Sequence, residues 1–358
     1  MTPAPFQHHV AMGDPQAPFA TVLSILDRHG LLGDDGRLHG DVQLVSMGDH
    51  FDWGQASERK KATDDATAML AWLSAHPPEQ VIIIAGNHDL ARVCELAPFT
   101  DDASFEAAWA MASAAYRSGK PDPEASKQFL ERYPHVPDAE CLARDFSCYS
   151  AEQQRLVTEL LRTRRLRLAH AHAGLLLVHA GVTEEDFASI GQVPANAADA
   201  AANLNAFLDA RVDQWKAGAL DLTPLHLPGS STGVARGVLF HRPAVPTGDA
   251  QFSGPPRRRY DPRQLPAAFP QAIGHIRDKK CRELLGAWAD ELPPVDGVLR
   301  SLRIDGETLR YARGTPADAR LYFLDAGMNH PAATSYELFD LERRRPLQPR
   351  SKFAISGT

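Results

Sequence analysis

Side chains that bind metal ions or move protons recur in this 358-residue chain directly behind short apolar runs. Asp14 follows Val10 to Met12 through Gly13, and Asp49 follows Val42 to Met47 through Gly48. Asn87 and His88 follow Val81 to Ala85 through Gly86, His179 follows Leu175 to Val178, and His275 follows Gln271 to Ile273 through Gly274. Carboxylate, amide and imidazole groups are ordinary donors to divalent cations. Each pattern alone has a plainer reading. Gly-Asp is usually a turn, Gly-Asn-His-Asp can cap a helix, and a histidine behind a strand is more often a hydrogen-bonded core residue. Recurrence at one kind of junction favours a shared metal site over five separate structural explanations.

The elements that would position these residues explain why the junctions matter. The β-branched apolar runs read as buried strands. In open α/β sheets, ligands bind beyond the carboxyl ends of the strands, where side chains from several strands converge. Phe19 to His29 reads as a helix closed by Gly30, and Ser57 to Ala75 as a helix stopped at Pro77-Pro78. Strand alternating with helix predicts an α/β core with parallel pairing in its first half. Between about residues 97 and 165, Phe105, Ala108, Trp109, Ala112 and Tyr116 fall at helical spacing behind the capping candidates Asp101 and Asp102, and a second amphipathic helix spans Ala151 to Leu161. This stretch reads as a helical, cap-like insertion that roofs the site, with its aromatic stripe as its own packing face. Ala244 to Pro270, dense in Pro, Gly and Arg, reads as a long surface loop. Ser301 to Ile304, Leu321 to Leu324 and Tyr336 to Leu338 read as strands of a second, antiparallel sheet.

Composition narrows the function classes. With 44% hydrophobic and 23% charged residues the chain can bury a large core, so disorder is excluded as its main state. No basic and apolar leader opens it, and no apolar run approaches the roughly 20 residues of a membrane span. These features predict a cytoplasmic protein without membrane contact. A net charge of −7 predicts no nucleic-acid partner. Arg257, Arg258, Arg259 and Arg263 form a local basic run, read as a solvated loop, with a phosphate-attracting rim as the alternative. The four scattered cysteines fit neither a disulfide framework nor a paired Cys-x-x-Cys zinc site and read as reduced packing residues.

Gly48-Asp49-His50-Phe51-Asp52-Trp53-Gly54, Gly86-Asn87-His88-Asp89, Val178-His179-Ala180-Gly181 and Gly274-His275 together resemble the ordered motifs of calcineurin-like metallophosphoesterases. The likeness is nearest to the branch of phosphoprotein phosphatases, Shewanella-like phosphatases and symmetrical dinucleoside-tetraphosphate hydrolases. It runs from residue 13 to 275 and implies a single domain over 1–358, a four-layer αββα sandwich of two mixed sheets carrying the 97–165 insertion. It also implies two divalent ions, with Asp14 and Gln16 on the first, Asp49 bridging both, and Asn87, His179 and His275 completing the second. A shared carboxylate can hold ions about 3.5–4 Å apart, and a bridging water then loses its proton near neutral pH. His88 resembles the family's leaving-group acid and Asp52 the residue that orients it.

Two positions depart from the family pattern. Asp14-Pro15-Gln16 has an amide where an imidazole is usual, and an oxygen-rich site favours manganese, with iron, zinc or nickel as alternatives. Trp53 stands where the protein-phosphatase branch carries a phosphate-gripping arginine, so Arg242 is the candidate to bind phosphate in its place. His50 and His241 are candidates to line the site, with a place behind it or facing solvent as the equal alternatives. Gly229-Ser230-Ser231-Thr232-Gly233 could offer N–H groups to an anion but lacks the P-loop lysine and reads as a turn. The expected activity is hydrolysis of phosphate monoesters, on a phosphoprotein or a small phosphorylated metabolite, by a metal-bridging hydroxide. The alternatives are hydrolysis of a dinucleoside polyphosphate and a weakly metallated binding scaffold.

Overall fold

The computed structural model describes residues 6–117, 119–231, 233–330 and 335–348. Two six-stranded mixed sheets lie face to face. In the first, the strands His8–Met12, Val42–Ser46, Val81–Ile84 and Leu166–Arg167 run parallel in that order, and Phe339–Asp340 adds antiparallel beside His8–Met12. In the second, Leu175–Val178, Gln271–Ile273 and Leu321–Phe323 are parallel neighbours, flanked by the antiparallel strands Ala169–His172 and Arg300–Asp305.

Side-chain alternation makes the layers. Val10 and Met12 face the flanking helices with Val22, Ile25 and Leu26 of the helix Phe19–Arg28, whereas Ala11, Val45 and Ile84 meet Leu175, Leu177, Ala272 and Tyr322 between the sheets. On the second sheet's far side, Leu176, Val178 and Ile273 pack with Leu204 and Leu208 of the helix Ala197–Gln214. The central strands Val42–Ser46, Val81–Ile84, Leu175–Val178, Gln271–Ile273 and Leu321–Phe323 are buried on both faces, which accounts for continuous apolar runs in place of an apolar–polar alternation. A one-residue slip would send every side chain to the wrong layer, so the register, and with it each strand end, is strongly determined.

Residues up to Tyr149 of the insertion build a separate apolar cluster around Phe105, Phe129, Leu142 and Phe146, joined by Ala235 and Phe240. Asp101 caps the helix Asp102–Ala115 by accepting from Ser104 N–H, and Ser150 caps Ala151–Arg162, whose Val157, Leu160 and Leu161 join the main core instead. The irregular stretch between them holds a further helix, Pro123–Arg132, which buries only Phe129 completely and so shows little apolar periodicity.

Three expectations are corrected. Tyr336 to Leu338 is not a strand: its neighbour Phe339–Asp340 is, and it joins the first sheet. The second sheet gains Thr308–Arg313, hairpin partner of Arg300–Asp305, and is mixed because Leu321–Phe323 pairs parallel to Gln271–Ile273. The 244–270 segment is irregular but partly interior, burying Arg257, Tyr260, Leu265 and Phe269. Among the described residues no helix is long and apolar enough to cross a membrane, and all four cysteines are free and buried.

Candidate metal centre

The strand ends are shaped by backbone that most residues avoid. Asp49 (φ 56°), Asp52 (φ 63°) and His275 (φ 64°) all adopt the left-handed conformation, uncommon outside glycine and sustained only where the surroundings impose it. Asp89 imposes it on the second junction. Its carboxylate accepts from the N–H groups of Asp49 (3.0 Å), His50 (2.9 Å) and Gly86 (2.8 Å), stitching two strand ends together. Glycine is required where carboxylates come close: a Cβ at Gly86 would stand 2.0 Å from Asp49 Oδ1, and one at Gly274 would stand 1.9 Å from Asp14 Oδ1.

Asp49, His179 and His275 each offer a donor atom within 4.8 Å of the others. His179 Nδ1–H donates to the Met47 carbonyl (2.9 Å), which leaves Nε2 as a bare lone pair 3.3 Å from Asp49 Oδ2 and 3.2 Å from Asn87 Oδ1. His275 Nε2–H donates to the Phe240 carbonyl (3.0 Å), leaving Nδ1 free. Pinning one ring nitrogen on a carbonyl is how a protein aims the other at a cation. Three electron-rich atoms in such proximity repel one another unless a proton or a cation lies among them. Burial opposes charge on Asp49, but His179 and His88 nearby outweigh it and hold the carboxyl below its usual range. Burial likewise lowers His179, and Asp49 more than reverses it.

Asp14 and Gln16 reach the adjoining part of the same rim. Asp14 Oδ2 accepts from His275 N–H at 2.7 Å, and its buried Oδ1 has no hydrogen-bond partner among the described residues. Gln16 Nε2 donates to the carbonyls of Phe51 (3.0 Å) and Asp52 (3.4 Å), so the amide oxygen remains as an unspent acceptor. Asp14 stands outside the tight Asp49–His179–His275 group. Asp325 also lines this rim, a residue with no glycine before it to mark the end of Leu321–Phe323 as a third Gly-Asp junction. Burial, then the charges of Asp325 and Asp49, push the Asp14 carboxyl well up. Crowded carboxylates with an orphaned oxygen, an amide oxygen and two aimed imidazoles form a donor set that suits hard or borderline divalent ions.

His88 is held apart from these donors. Its Nδ1 meets Asp52 Oδ2 at 3.0 Å, and its Nε2 lies 4.0 Å from Asp49 Oδ2. Asp52 is fixed in turn by Arg92 Nη1–H (2.6 Å) and by Cys148 N–H (2.8 Å), and Phe146 packs edge-on against the imidazole, 5.2 Å between centroids. Burial lowers the His88 pKa, but Asp49 and Asp52 carry it above its ordinary value. Arg92 is absent from the candidates drawn from the sequence, although it lies one helical turn beyond His88.

Above the donors is a cleft of 330 Å³ walled by Arg144, Asp145, Ser231, Phe240, Arg242, Arg277 and Lys280. Arg144 is spent on Glu140 and Asp145, and Lys280 on Glu283. Arg242 and Arg277 have no carboxylate at ion-pair distance among the described residues; Arg277, two residues past His275, is a further cation that the sequence reading passes over. His50 and His241 stand behind the cleft, the first between Ser46 and Asp89, the second on the Gly181 carbonyl. Trp53 is buried with Ala62 and Cys148. In the 229–233 loop, Thr232 lies outside the described residues, and the Gly229, Ser231 and Gly233 N–H groups are taken by Glu95, Asp145 and Ser230, so they are not offered to an anion. The arginine run is solvated only in part: Arg263 is exposed and pairs with Asp261 and Glu307, whereas buried Arg257 binds Glu185 and Asp186 and half-buried Arg258 binds loop carbonyls.

No protein-family model matches the chain, and no curated protein matches it. Among solved structures it is similar to a cold-active protein tyrosine phosphatase of a psychrophilic Shewanella species, with TM-score 0.42, 14% identity, and coverage of 94% of this chain and 77% of that one. Another structure of a cold-active protein tyrosine phosphatase gives TM-score 0.43 at 14% identity, covering 94% of this chain and 75% of that one. Likeness at this level decides nothing about the activity of the chain.

Proposed function

We propose that this chain is a dinuclear metal-dependent phosphoesterase that hydrolyses phosphate monoesters, carried by a phosphoprotein or a small phosphorylated metabolite. The observation that carries the reading is the approach of His179 Nε2 to both Asn87 Oδ1 (3.2 Å) and Asp49 Oδ2 (3.3 Å), with both imidazoles pinned from behind by carbonyls. Asp14, Gln16 and Asp49 would hold one cation and Asp49, Asn87, His179 and His275 the other, manganese being favoured. When bound, such ions acidify water and neutralise charge on a phosphoryl group.

The chain's own groups supply the rest. Arg242, with no acidic partner among the described residues, binds and orients a phosphoryl oxygen. His88 holds a proton at Nε2 for the departing oxygen, while Asp52, itself fixed by Arg92, orients the ring and with Asp49 favours its protonated form. A cleft of 330 Å³ is near the lower end of small-ligand sites and suits a phosphoryl group with a modest leaving group. A second reading, cleavage of a phosphoanhydride, is favoured by an adjoining compartment of 390 Å³ that shares Gln16, Arg277 and Asp325 with the first. Product analysis with a diadenosine polyphosphate separates the two, since nucleotide fragments appear only in the second.

The test is turnover of an aryl phosphate by the metal-loaded chain together with metal analysis of the same preparation. Two equivalents of transition metal are expected, and Asp49→Ala should lose both metal and at least about 10⁴-fold in rate, the upper end for a single proton-transfer residue. Full turnover by Asp49→Ala would eliminate the reading, and a metal-free, inactive wild type would return the chain to the class of scaffolds.

A further inference from the structure

Away from the cleft, Cys94, Glu95 and His226 meet in the interior. Each offers one ligand atom, and these atoms lie within 4.8 Å of one another. All three residues are buried, with 3%, 2% and 2% of their surface exposed. Glu95 Oε1 accepts from Gly229 N–H at 2.8 Å, but Oε2 has no hydrogen-bond partner among the described residues. His226 Nδ1 has none either, although its ring is stacked flat on Phe240 with 5.8 Å between centroids. Cys94 Sγ–H donates to the Leu220 carbonyl at 3.4 Å. A carboxyl and an imidazole sealed side by side in an apolar core ordinarily bond to each other, because a buried polar atom without a partner costs about 1–3 kcal/mol. These two do not, and both residues that carry an orphaned atom belong to the same trio as a thiol.

We propose that Cys94, Glu95 and His226 form a third cation site, structural in role, for a borderline-soft divalent ion of the zinc class. The donor set is one sulfur, one oxygen and one nitrogen, which selects zinc over the harder ions that suit the carboxylate- and amide-rich rim. Charge balances: a doubly charged ion replaces one proton from the Cys94 thiol and one from the Glu95 carboxyl, both released to solvent, while neutral His226 contributes its lone pair. The buried site is then uncharged, the state a low-dielectric interior favours. The Leu220 carbonyl, already in contact with Sγ, is an oxygen available to complete a tetrahedron.

The position gives the ion a purpose. Cys94 and Glu95 lie one to two turns beyond His88, whereas His226 sits on the segment leading to Phe240 and Arg242. Phe240 both stacks on His226 and, through its carbonyl, pins His275. A clip across these segments would hold the roof of the cleft on the turns that follow the short helix Asn87–Leu90, which bears His88. Such an ion is taken up as the chain folds, since no open path is needed for an ion bound during folding.

The experiment uses the full chain, unfolded in chelator to strip its metal and refolded with cobalt(II) as a spectroscopic substitute for zinc. A near-ultraviolet thiolate-to-cobalt charge-transfer band is expected in the wild type. It should persist in Asp49→Asn, which disables the rim, and in Cys148→Ser, and vanish in Cys94→Ser. His226→Gln should weaken zinc binding by more than the roughly 10–100-fold seen when a partner behind a ligand is removed. A crystal grown with zinc should show anomalous density between Cys94 Sγ and His226 Nδ1. Absence of that density, or a band unchanged in folded Cys94→Ser, overturns the proposal; should Cys94→Ser fail to fold, the wild-type anomalous map decides alone.

Discussion

At the strand ends, Asp49, Asn87, His179 and His275 are placed by backbone that turns within two residues of a buried strand, and short-range bonds from Asp89, Met47 and Phe240 finish the aim. In the covering segment, Arg144 and Asp145 reach the cleft, and Phe146 packs on His88, from a separate apolar cluster built on Phe105, Phe129 and Leu142. The first region stores strain in left-handed Asp49, Asp52 and His275 and relies on two-sided burial of the strands to contain it. The second has ordinary caps and an alanine-rich interface, which leaves it free to vary. Chemistry is thereby anchored to the stiffest part of the molecule, while cleft shape is delegated to a part that can change without disturbing the sheets.

The sharpest way to break this contrast is to act where the two regions touch. His88→Asn should lower kcat by about 10²–10⁴-fold on an alkyl phosphate and far less on an aryl phosphate whose leaving group needs no proton. An equal loss on both substrates would remove His88 from the role of acid. Next in size is Arg92→Ala, which strips buried Asp52 of its guanidinium and joins helix, rim and cover; a loss of about 3–5 kcal/mol is expected from urea unfolding. The same bonds set a pH dependence in the metal-free chain. Because the folded pKa of His88 is raised above 6.5, its stabilising contribution is complete below pH 6.5 and is lost as pH rises through the raised value. The stability gap between wild type and His88→Asn should therefore shrink as pH increases, and a gap that widens would refute the charge assignment.

Arg242→Ala should reduce kcat/KM by roughly 10- to 100-fold, the worth of one charge-assisted hydrogen bond to phosphate, with metal content unchanged. Unaltered kinetics would make Arg242 a wall residue only. The smallest effect belongs to the cover alone: Asp101→Ala removes the cap on Ser104 N–H and should lower stability by about 1 kcal/mol without changing kcat. A large loss of activity there would mean that the cover is not the independent region described.

Legibility followed the range of the forces involved. Strand-to-residue junctions could be read because burial on both faces forces continuous apolar runs and the turn after them needs glycine. Thr308–Arg313 carries a plain two-residue alternation, Leu309 and Tyr311 inward, yet its place beside Arg300–Asp305 depends on pairing. Helix Pro123–Arg132 announces itself only through Asp122-Pro123, a cap and a first-turn proline, because a single buried phenylalanine makes no period. Arg257 could not be told from a solvated arginine, since its partners Glu185 and Asp186 are far away in sequence. Asp325 escaped notice for a similar reason: a carboxylate becomes part of the rim only when its strand is laid beside Gln271–Ile273.

What the order of residues determined by itself was the α/β class and which side chains stand at the ends of buried strands, because apolar continuity and local turn chemistry act between near neighbours. Which of those ends face one another, which ring nitrogen each histidine leaves free, and that Cys94 and Glu95 find His226 were decided only by the tertiary structure. Such contacts join segments far apart along the chain, and no local rule of charge or periodicity reaches across that distance.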